Sequence, residues 1–162
     1  MYRIGIITAS DRGYSGERED VSGAVIREIA AANGYCVVSY KVLPDDRALL
    51  AEEMKRLCDE DIADLVLTTG GTGFSPRDCT PEATLDVAER QVPGISEAMR
   101  YSSMRITKRA MLSRAVAVIR KKALIINLPG SPKAVRENLE FIIPELSHGL
   151  EVLKGSVSDC AR

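Results

Sequence analysis

Short apolar runs alternate with helical segments along this chain, and that alternation restricts it to a parallel, doubly wound sheet. Ile4–Ala9, Val37–Leu43 and Leu65–Thr69 read as strands, the first and third apolar enough to be buried on both faces. Between them, Val21–Ala32 carries apolar residues at helical spacing and ends at Asn33-Gly34, while Arg47–Cys58 follows Asp45-Asp46, either of which suits an N-cap. Thr80-Pro81-Glu82 predicts a helix with threonine as its cap, running to about Glu89, and Ile95–Met104 predicts another. Ala115–Ile119 and Ala123–Leu128 are β-rich runs joined across Arg120-Lys121-Lys122, a hairpin without the favoured Asn-Gly chemistry. Ser131-Pro132 starts a further helix, and Pro144 is expected to begin a last one ending near Gly155. The expected class is α/β: a doubly wound, mostly parallel sheet with helices on both faces and a small β-hairpin, a three-layer α/β/α arrangement. At 162 residues, with no repeat or linker, it reads as one domain over 1–155 and a C-terminal tail over 156–162.

Charge is unevenly spread. The chain has 22 Lys+Arg against 23 Asp+Glu, a net charge of −1, yet Ala98 to Arg136 contains ten basic residues and no acid. The remainder therefore carries 12 basic against 23 acidic residues. Such a segment fits an anionic ligand, and equally a solvated face or a subunit contact. Five Tyr, two Phe and no Trp leave few rings to stack bases, which disfavours nucleic acid and leaves a small phosphorylated ligand as the better candidate.

Cys36, Cys58, Cys79 and Cys160 are scattered, and the single histidine, His148, falls in the last expected helix, so no structural metal is expected. The opening residues suit a strand better than a signal peptide, and no apolar run reaches membrane-span length; a cytoplasmic location is the expectation.

Ligands of open parallel sheets bind beyond the carboxyl ends of the strands. Those ends are followed here by Ser10-Asp11-Arg12-Gly13, Pro44-Asp45-Asp46, Gly70-Gly71-Thr72-Gly73-Phe74-Ser75-Pro76-Arg77-Asp78 and Pro129-Gly130-Ser131-Pro132. Glycines let backbone amides turn toward an anion, so Gly70–Gly73 reads as a phosphate cradle or as a plain tight turn. It matches neither the Walker loop nor the dinucleotide fingerprint. Asp45 and Asp78 could together hold Mg²⁺ beside a substrate phosphate, or could merely cap a helix and shape a turn. Arg114, after Ser113, offers a fork for phosphate or an ordinary surface pair, and Ser131 offers a cap or an anion site.

The run Thr68-Thr69-Gly70-Gly71-Thr72-Gly73-Phe74-Ser75-Pro76-Arg77-Asp78-Cys79-Thr80-Pro81-Glu82-Ala83-Thr84 resembles the signature of the molybdopterin-binding MogA/MoaB family. Ser10-Asp11-Arg12, Pro44-Asp45-Asp46, Met111-Leu112-Ser113-Arg114 and Asn127-Leu128-Pro129-Gly130-Ser131-Pro132 follow in the family's order, most like its bacterial Mog-type adenylyltransferase branch. The resemblance implies transfer of AMP from Mg·ATP to the terminal phosphate of molybdopterin, in molybdenum cofactor biosynthesis. It implies Asp45 and Asp78 as catalytic and magnesium-holding residues. Ser10, Asp11, Gly70, Gly71, Thr72, Gly73, Ser75, Ser113, Arg114, Gly130 and Ser131 would line the molybdopterin and ATP site. A homotrimer and a molybdenum-insertion partner of the same pathway are further implications, and a non-catalytic, MoaB-like molybdopterin carrier is the alternative. Cys79 departs from the family pattern, which usually carries valine there.

Overall fold

A computed structural model describes residues 1–155; the expected tail over 156–162, with Cys160, lies outside the described residues. The elements in chain order are β1 (Arg3–Ala9), α1 (Asp11–Tyr14), α2 (Val21–Ala32), β2 (Cys36–Leu43), α3 (Arg47–Asp59), β3 (Leu65–Thr69), α4 (Thr80–Asp86), β4 (Arg90–Gln91), α5 (Pro93–Met104), a 3₁₀ segment (Lys108–Leu112), β5 (Ala117–Arg120), β6 (Ala123–Leu128) and α6 (Pro132–Leu153).

The strands form one sheet in the order β2-β1-β3-β6-β5-β4. β1, β2, β3 and β6 are parallel, whereas β5 and β4 run antiparallel at one edge. Strand periodicity sorts the apolar residues onto two faces. Ile4, Ile6, Leu65, Leu67, Leu124 and Ile126 meet α2, α5 and α6 on one side, while Ile7, Val66, Val118 and Ile125 meet α3 and α4 on the other. The α/β/α layering expected from the alternation is therefore present. From β1 the chain steps outward to β2 by way of α2, then returns past β1 to β3 by way of α3. Opposite directions of travel require opposite faces for right-handed crossovers. The switch point between β1 and β3 is thus where a crevice forms.

Three local expectations need correction. α6 is one helix of 22 residues with Pro144 inside it, not two helices. Its buried stripe of Val135, Leu139, Ile142, Leu146 and Leu150 continues across the proline, while Pro144 and Glu140 are exposed, so the carbonyl that loses its partner can bond to water. Burying those side chains, at about 1.5–3 kcal/mol each, outweighs the ~3 kcal/mol an interior proline costs. In α4 the cap position is Cys79, with no side-chain bond, and Thr80 is instead the first helical residue, fully buried. α4 also ends at Asp86, which releases Arg90–Gln91 to pair with β5.

The hairpin is real: Arg120 pairs with Ala123, and Lys121 takes the left-handed φ of 53° that glycine usually supplies. Glu89 accepts the Lys121 amide at 2.9 Å, holding the turn. At the same edge of the sheet, where the Leu124 amide donates to the Asp64 carbonyl at 3.0 Å, the buried Asp64 carboxylate accepts from the Arg3 amide at 2.8 Å and Arg3 Nη2 at 2.8 Å, and pairs with Lys154, joining β1 to the end of α6. Burial works against its charge, but these cations and the amide hold its pKa at about 2.

Candidate active site

The four parallel strands place their following loops along one edge, as the sequence predicts. Ser10 caps α1 by accepting the Gly13 amide at 3.0 Å. Asp11 and Asp45 are cross-linked: the Asp11 amide donates to Asp45 Oδ2 and the Asp45 amide to Asp11 Oδ1, both at 3.0 Å. This bond pair ties the loops after β1 and β2 together. Asp46, not Asp45, caps α3 through the Leu49 amide at 2.9 Å, which leaves Asp45 for the site.

The glycine loop begins with Gly70 and Gly71 at φ values of 88° and 67°. A Cβ on Gly70 would lie closer than 3.0 Å to the Ala9 carbonyl oxygen, so the loop packs directly on the end of β1. A Cβ on Gly71 would collide with Thr80 Oγ1 and stand 3.2 Å from Asp45 Oδ1. On Gly73 it would come within 2.9 Å of Asp78 Oδ2. The bare backbone of this loop is therefore enclosed by the groups proposed for chemistry. Thr80 Oγ1 itself is buried and has no hydrogen-bond partner among the described residues.

Asp78 closes the loop by accepting the Ser75 amide at 3.2 Å, while its own amide donates to the Ser75 carbonyl at 2.9 Å. Arg77 reaches across the edge, Nε and Nη2 each 2.9 Å from an oxygen of Asp11. That fork and the Asp45 amide hold the Asp11 carboxyl below its ordinary range. Asp45 goes the other way. Burial raises its pKa first, the Asp11 amide counters, and the charges of Asp11 and Asp78 raise it further. Three carboxylates thus converge, one of them carrying its charge at a cost, which is where a cation would be stabilised. Among the described residues no three His, Cys, Asp or Glu side chains form a ready-made metal cage. Asp45 with Asp78 still fits Mg²⁺, which takes one or two carboxylates and fills its remaining positions with water and substrate phosphate.

Two clefts flank the loop. One, of about 380 Å³, is lined by Ser10, Gly70, Gly130 and Ser131, together with Arg18, Asp20 and Thr69. The other, of about 310 Å³, is lined by Thr72, Gly73 and Ser113, with Arg100, Arg109 and Met99. Asp11, Asp45, Gly71, Ser75, Asp78 and Arg114 line neither cleft and stand with the loop itself. Ser131 caps α6 through the Ala134 amide at 3.2 Å, and Gly130 is fixed by Ser22 Oγ donating to its carbonyl at 2.7 Å. Thr69 Oγ1 donates to the Pro129 carbonyl at 2.6 Å, locking the loops after β3 and β6 together.

Arg114 lies in the site with its fork turned to protein acceptors. Nε donates to the Gly73 carbonyl at 2.7 Å, Nη2 to the Asp78 carbonyl at 3.0 Å, and Nη1 pairs with Glu82. Much of the acid-free segment is spent similarly. Arg100 donates to the Ser113 and Ala115 carbonyls, Arg120 pairs with Asp59, Lys121 with Glu89, Lys133 with Glu137, and Arg136 with Glu28 and Glu140. With Arg114, five of the ten cations in the run are paired with acids that lie outside it. The sequence alone does not mark Arg18, Arg77, Arg100, Arg109 or Thr80 as site residues, although Arg77 and Thr80 lie within the motif. Cys79 is half-buried and packs against the core beside α3 and α4; burial, followed by the charge of Asp45, raises its thiol pKa. His148 stands in α6, away from the glycine loop.

The architecture has close relatives. A family profile described as "Probable molybdopterin binding domain" matches residues 5–148. The chain is 43% identical over 157 residues to a molybdopterin adenylyltransferase of Helicobacter pylori (strain J99), covering 94% of this chain and 88% of that one. It is 45% identical over 142 residues to the molybdopterin adenylyltransferase of Escherichia coli (strain K12), covering 86% and 73%. Among solved structures, the molybdopterin biosynthesis enzyme MoaB of Thermus thermophilus superposes with a TM-score of 0.90 at 46% identity, over 96% of this chain and 98% of that one. Fold, glycine loop and sequence agree, and the chain belongs to the molybdopterin-binding family of molybdenum cofactor biosynthesis.

Proposed function

We propose that this protein is a molybdopterin adenylyltransferase, which transfers AMP from ATP to the terminal phosphate of molybdopterin and releases pyrophosphate. An oxygen of the molybdopterin phosphate forms the new bond to the α-phosphorus of ATP, and the bond from that phosphorus to the pyrophosphate oxygen breaks. The observation that carries this reading is the convergence of Asp45 and Asp78 on a glycine loop bordered by two clefts. Two anions must be brought together, and the reaction needs alignment and charge neutralisation more than an acid or base. The absence of histidine from the loop edge is then no obstacle.

Asp45 and Asp78 would hold Mg²⁺. Such an ion would supply positive charge against the phosphates of the two substrates. The amides of Gly70–Gly73 are the phosphate cradle, and Ser10, Asp11, Ser75, Ser113, Gly130 and Ser131 complete the contacts to ATP and molybdopterin. Arg18 in one cleft and Arg109 in the other supply a cation for each anionic ligand.

The second reading is a non-catalytic molybdopterin carrier of MoaB type; the Thermus structure to which the chain is similar is described as a molybdopterin biosynthesis enzyme MoaB. Binding alone does not need a half-buried carboxylate set beside the charges of two others, as Asp45 is. Incubation with molybdopterin, ATP and Mg²⁺ separates the two: adenylylated molybdopterin supports the enzyme, and bound but unmodified molybdopterin supports the carrier. We further infer a homotrimer in the cytoplasm that passes its product to a molybdenum-insertion protein. Exposed Tyr101, Met104, Ile106, Met111 and Leu112, on and after α5, give the apolar surface an assembly would cover. Among the described residues no helix is long and apolar enough to cross a membrane.

A further inference from the structure

Gly73 to Asp78 form an arc whose tip is exposed, with Phe74 70% accessible. Inside the arc the Ser75 and Asp78 backbone and side-chain groups bond to each other at 2.9 and 3.2 Å. Those local bonds shape the arc without deciding where it sits. Arg77 ties its outer part to Asp11, through an exposed pair that water screens. Its base is held from outside the motif. Arg114 reaches both ends of the arc, the Gly73 carbonyl at 2.7 Å and the Asp78 carbonyl at 3.0 Å, and its own amide donates to the Thr72 carbonyl at 2.9 Å.

The third arm of the guanidinium meets Glu82, whose other oxygen, Oε2, is buried with no hydrogen-bond partner among the described residues. Arg114 is thus the group that holds the Glu82 carboxylate. A planar guanidinium can face three acceptors in fixed directions, whereas an ammonium on a flexible stem cannot reproduce that fork. A phosphate clamp would aim its donors at a cleft; all three nitrogens of Arg114 are engaged by protein, and Arg114 lines neither cleft.

We propose that Arg114 is a positioning residue of adenylyl transfer, which sets the Gly73–Asp78 arc and thereby the Asp78 carboxylate opposite Asp45 without touching substrate. The inference rests on the reading of Asp78 as a residue of that reaction. It assigns Glu82 a role as well: orienting the guanidinium so that both carbonyls are reached at once. Arg114 should then act chiefly on turnover, with only a small loss of affinity through Gly73 and Ser75 and with a salt dependence close to wild type. Lysine should rescue poorly, because charge is not what the arc uses.

The test takes the full chain as wild type, Arg114→Gln, Arg114→Lys and Glu82→Gln. Hydrogen exchange without ligand is followed at the Ser75 and Asp78 amides, with Ile6 in β1 as an internal control. Steady-state kinetics with ATP and molybdopterin are measured across ionic strengths. Arg114→Gln is expected to speed exchange in the arc about tenfold or more, with Ile6 unchanged, because local opening no longer has to break the fork. Its kcat should fall by about 30-fold to 100-fold while both KM values stay within about threefold and keep the wild-type salt dependence. Arg114→Lys should recover little of that loss, and Glu82→Gln should move kcat and exchange the same way, by about fivefold to tenfold. A KM increase of about tenfold with weaker salt dependence and retained kcat would make Arg114 a substrate contact and overturn the proposal. Wild-type exchange in the arc of the variants would overturn it too. If Arg114→Gln does not fold, Arg114→Lys and Glu82→Gln give the same decision. If the wild-type chain makes no adenylylated product, the proposed activity fails, while the exchange arm still decides whether Arg114 holds the arc.

Discussion

Replacing Gly70 by alanine should be among the costliest one-carbon additions this fold can receive. Two effects combine there. The backbone sits at φ 88°, in the left-handed region, where an L side chain costs about 1–2 kcal/mol. The added methyl would also fall inside 3.0 Å of the Ala9 carbonyl oxygen, a main-chain atom of the neighbouring strand that cannot rotate away. Overpacking of this kind adds about 1–3 kcal/mol. The total is about 2–5 kcal/mol, and at roughly 2–4 °C per kcal/mol for a domain of this size, Tm should fall by about 4–20 °C. Two controls isolate the terms. Gly34 has a φ of 77° with nothing within 4 Å of a built Cβ, so Gly34→Ala should show the backbone cost alone. Gly130, outside the positive-φ glycines, would place its Cβ 3.5 Å from Gly70 Cα, an ordinary contact, and Gly130→Ala should be within about 0.5 kcal/mol of wild type. Calorimetry and thermal melts followed by circular dichroism provide the readout. Equal losses in Gly70→Ala and Gly34→Ala would refute the direct packing of the loop on β1.

Three other perturbations test different parts of the account. Asp45→Asn keeps an acceptor for the Asp11 amide but removes a charge disfavoured by burial and by Asp11 and Asp78. A carboxyl whose pKa is raised by folding opposes stability once it ionises, so the variant should melt higher than wild type at pH 7, with the difference vanishing below the ordinary carboxylate range. Its adenylylation should fall by at least about a hundredfold, and a variant that melts lower at pH 7 would contradict the assignment. Asp64 behaves in the opposite sense: with its pKa lowered to about 2 from 3.8, its stabilisation is present above about pH 4 and lost as pH falls toward 2. Asp64→Asn should cost about 1–3 kcal/mol at pH 7, because Arg3 and Lys154 are partly exposed and can return to water, and should flatten acid unfolding over that interval. Chelation of divalent cations should abolish adenylylation reversibly; undiminished turnover in excess chelator would remove the role given to Asp45 and Asp78.

Much of this fold can be read from residue order, and the failures have physical causes. Ile4, Ile6, Leu65 and Leu67 alternate with Ile7 and Val66 between the two helical layers, so strand assignment needs no tertiary information. The glycine loop stands out because Gly70 and Gly71 adopt conformations that other residues resist. Pro144 misleads because its local penalty is visible in the sequence, while the apolar stripe that overrides it depends on what α6 packs against. Thr80 looks like a cap, and only its complete burial against Gly71 shows that it is interior. Asp45 and Asp46 are interchangeable by sequence; the Asp11 amide separates them. The acid-free segment marks the same limit. Its charges have partners such as Asp59, Glu82, Glu89 and Glu28, supplied by distant parts of the chain, so linear charge overstated what remains for a ligand.

The most direct test of the central claim mixes the purified protein, molybdopterin, ATP and Mg²⁺, and follows adenylylated molybdopterin together with pyrophosphate. Wild type should form both in equal amounts. Asp78→Asn should lower the rate by at least about a hundredfold while molybdopterin binding stays measurable, since the carboxylate aligns the reaction and does not hold the pterin. Pyrophosphate release by Asp78→Asn at close to the wild-type rate would contradict the account.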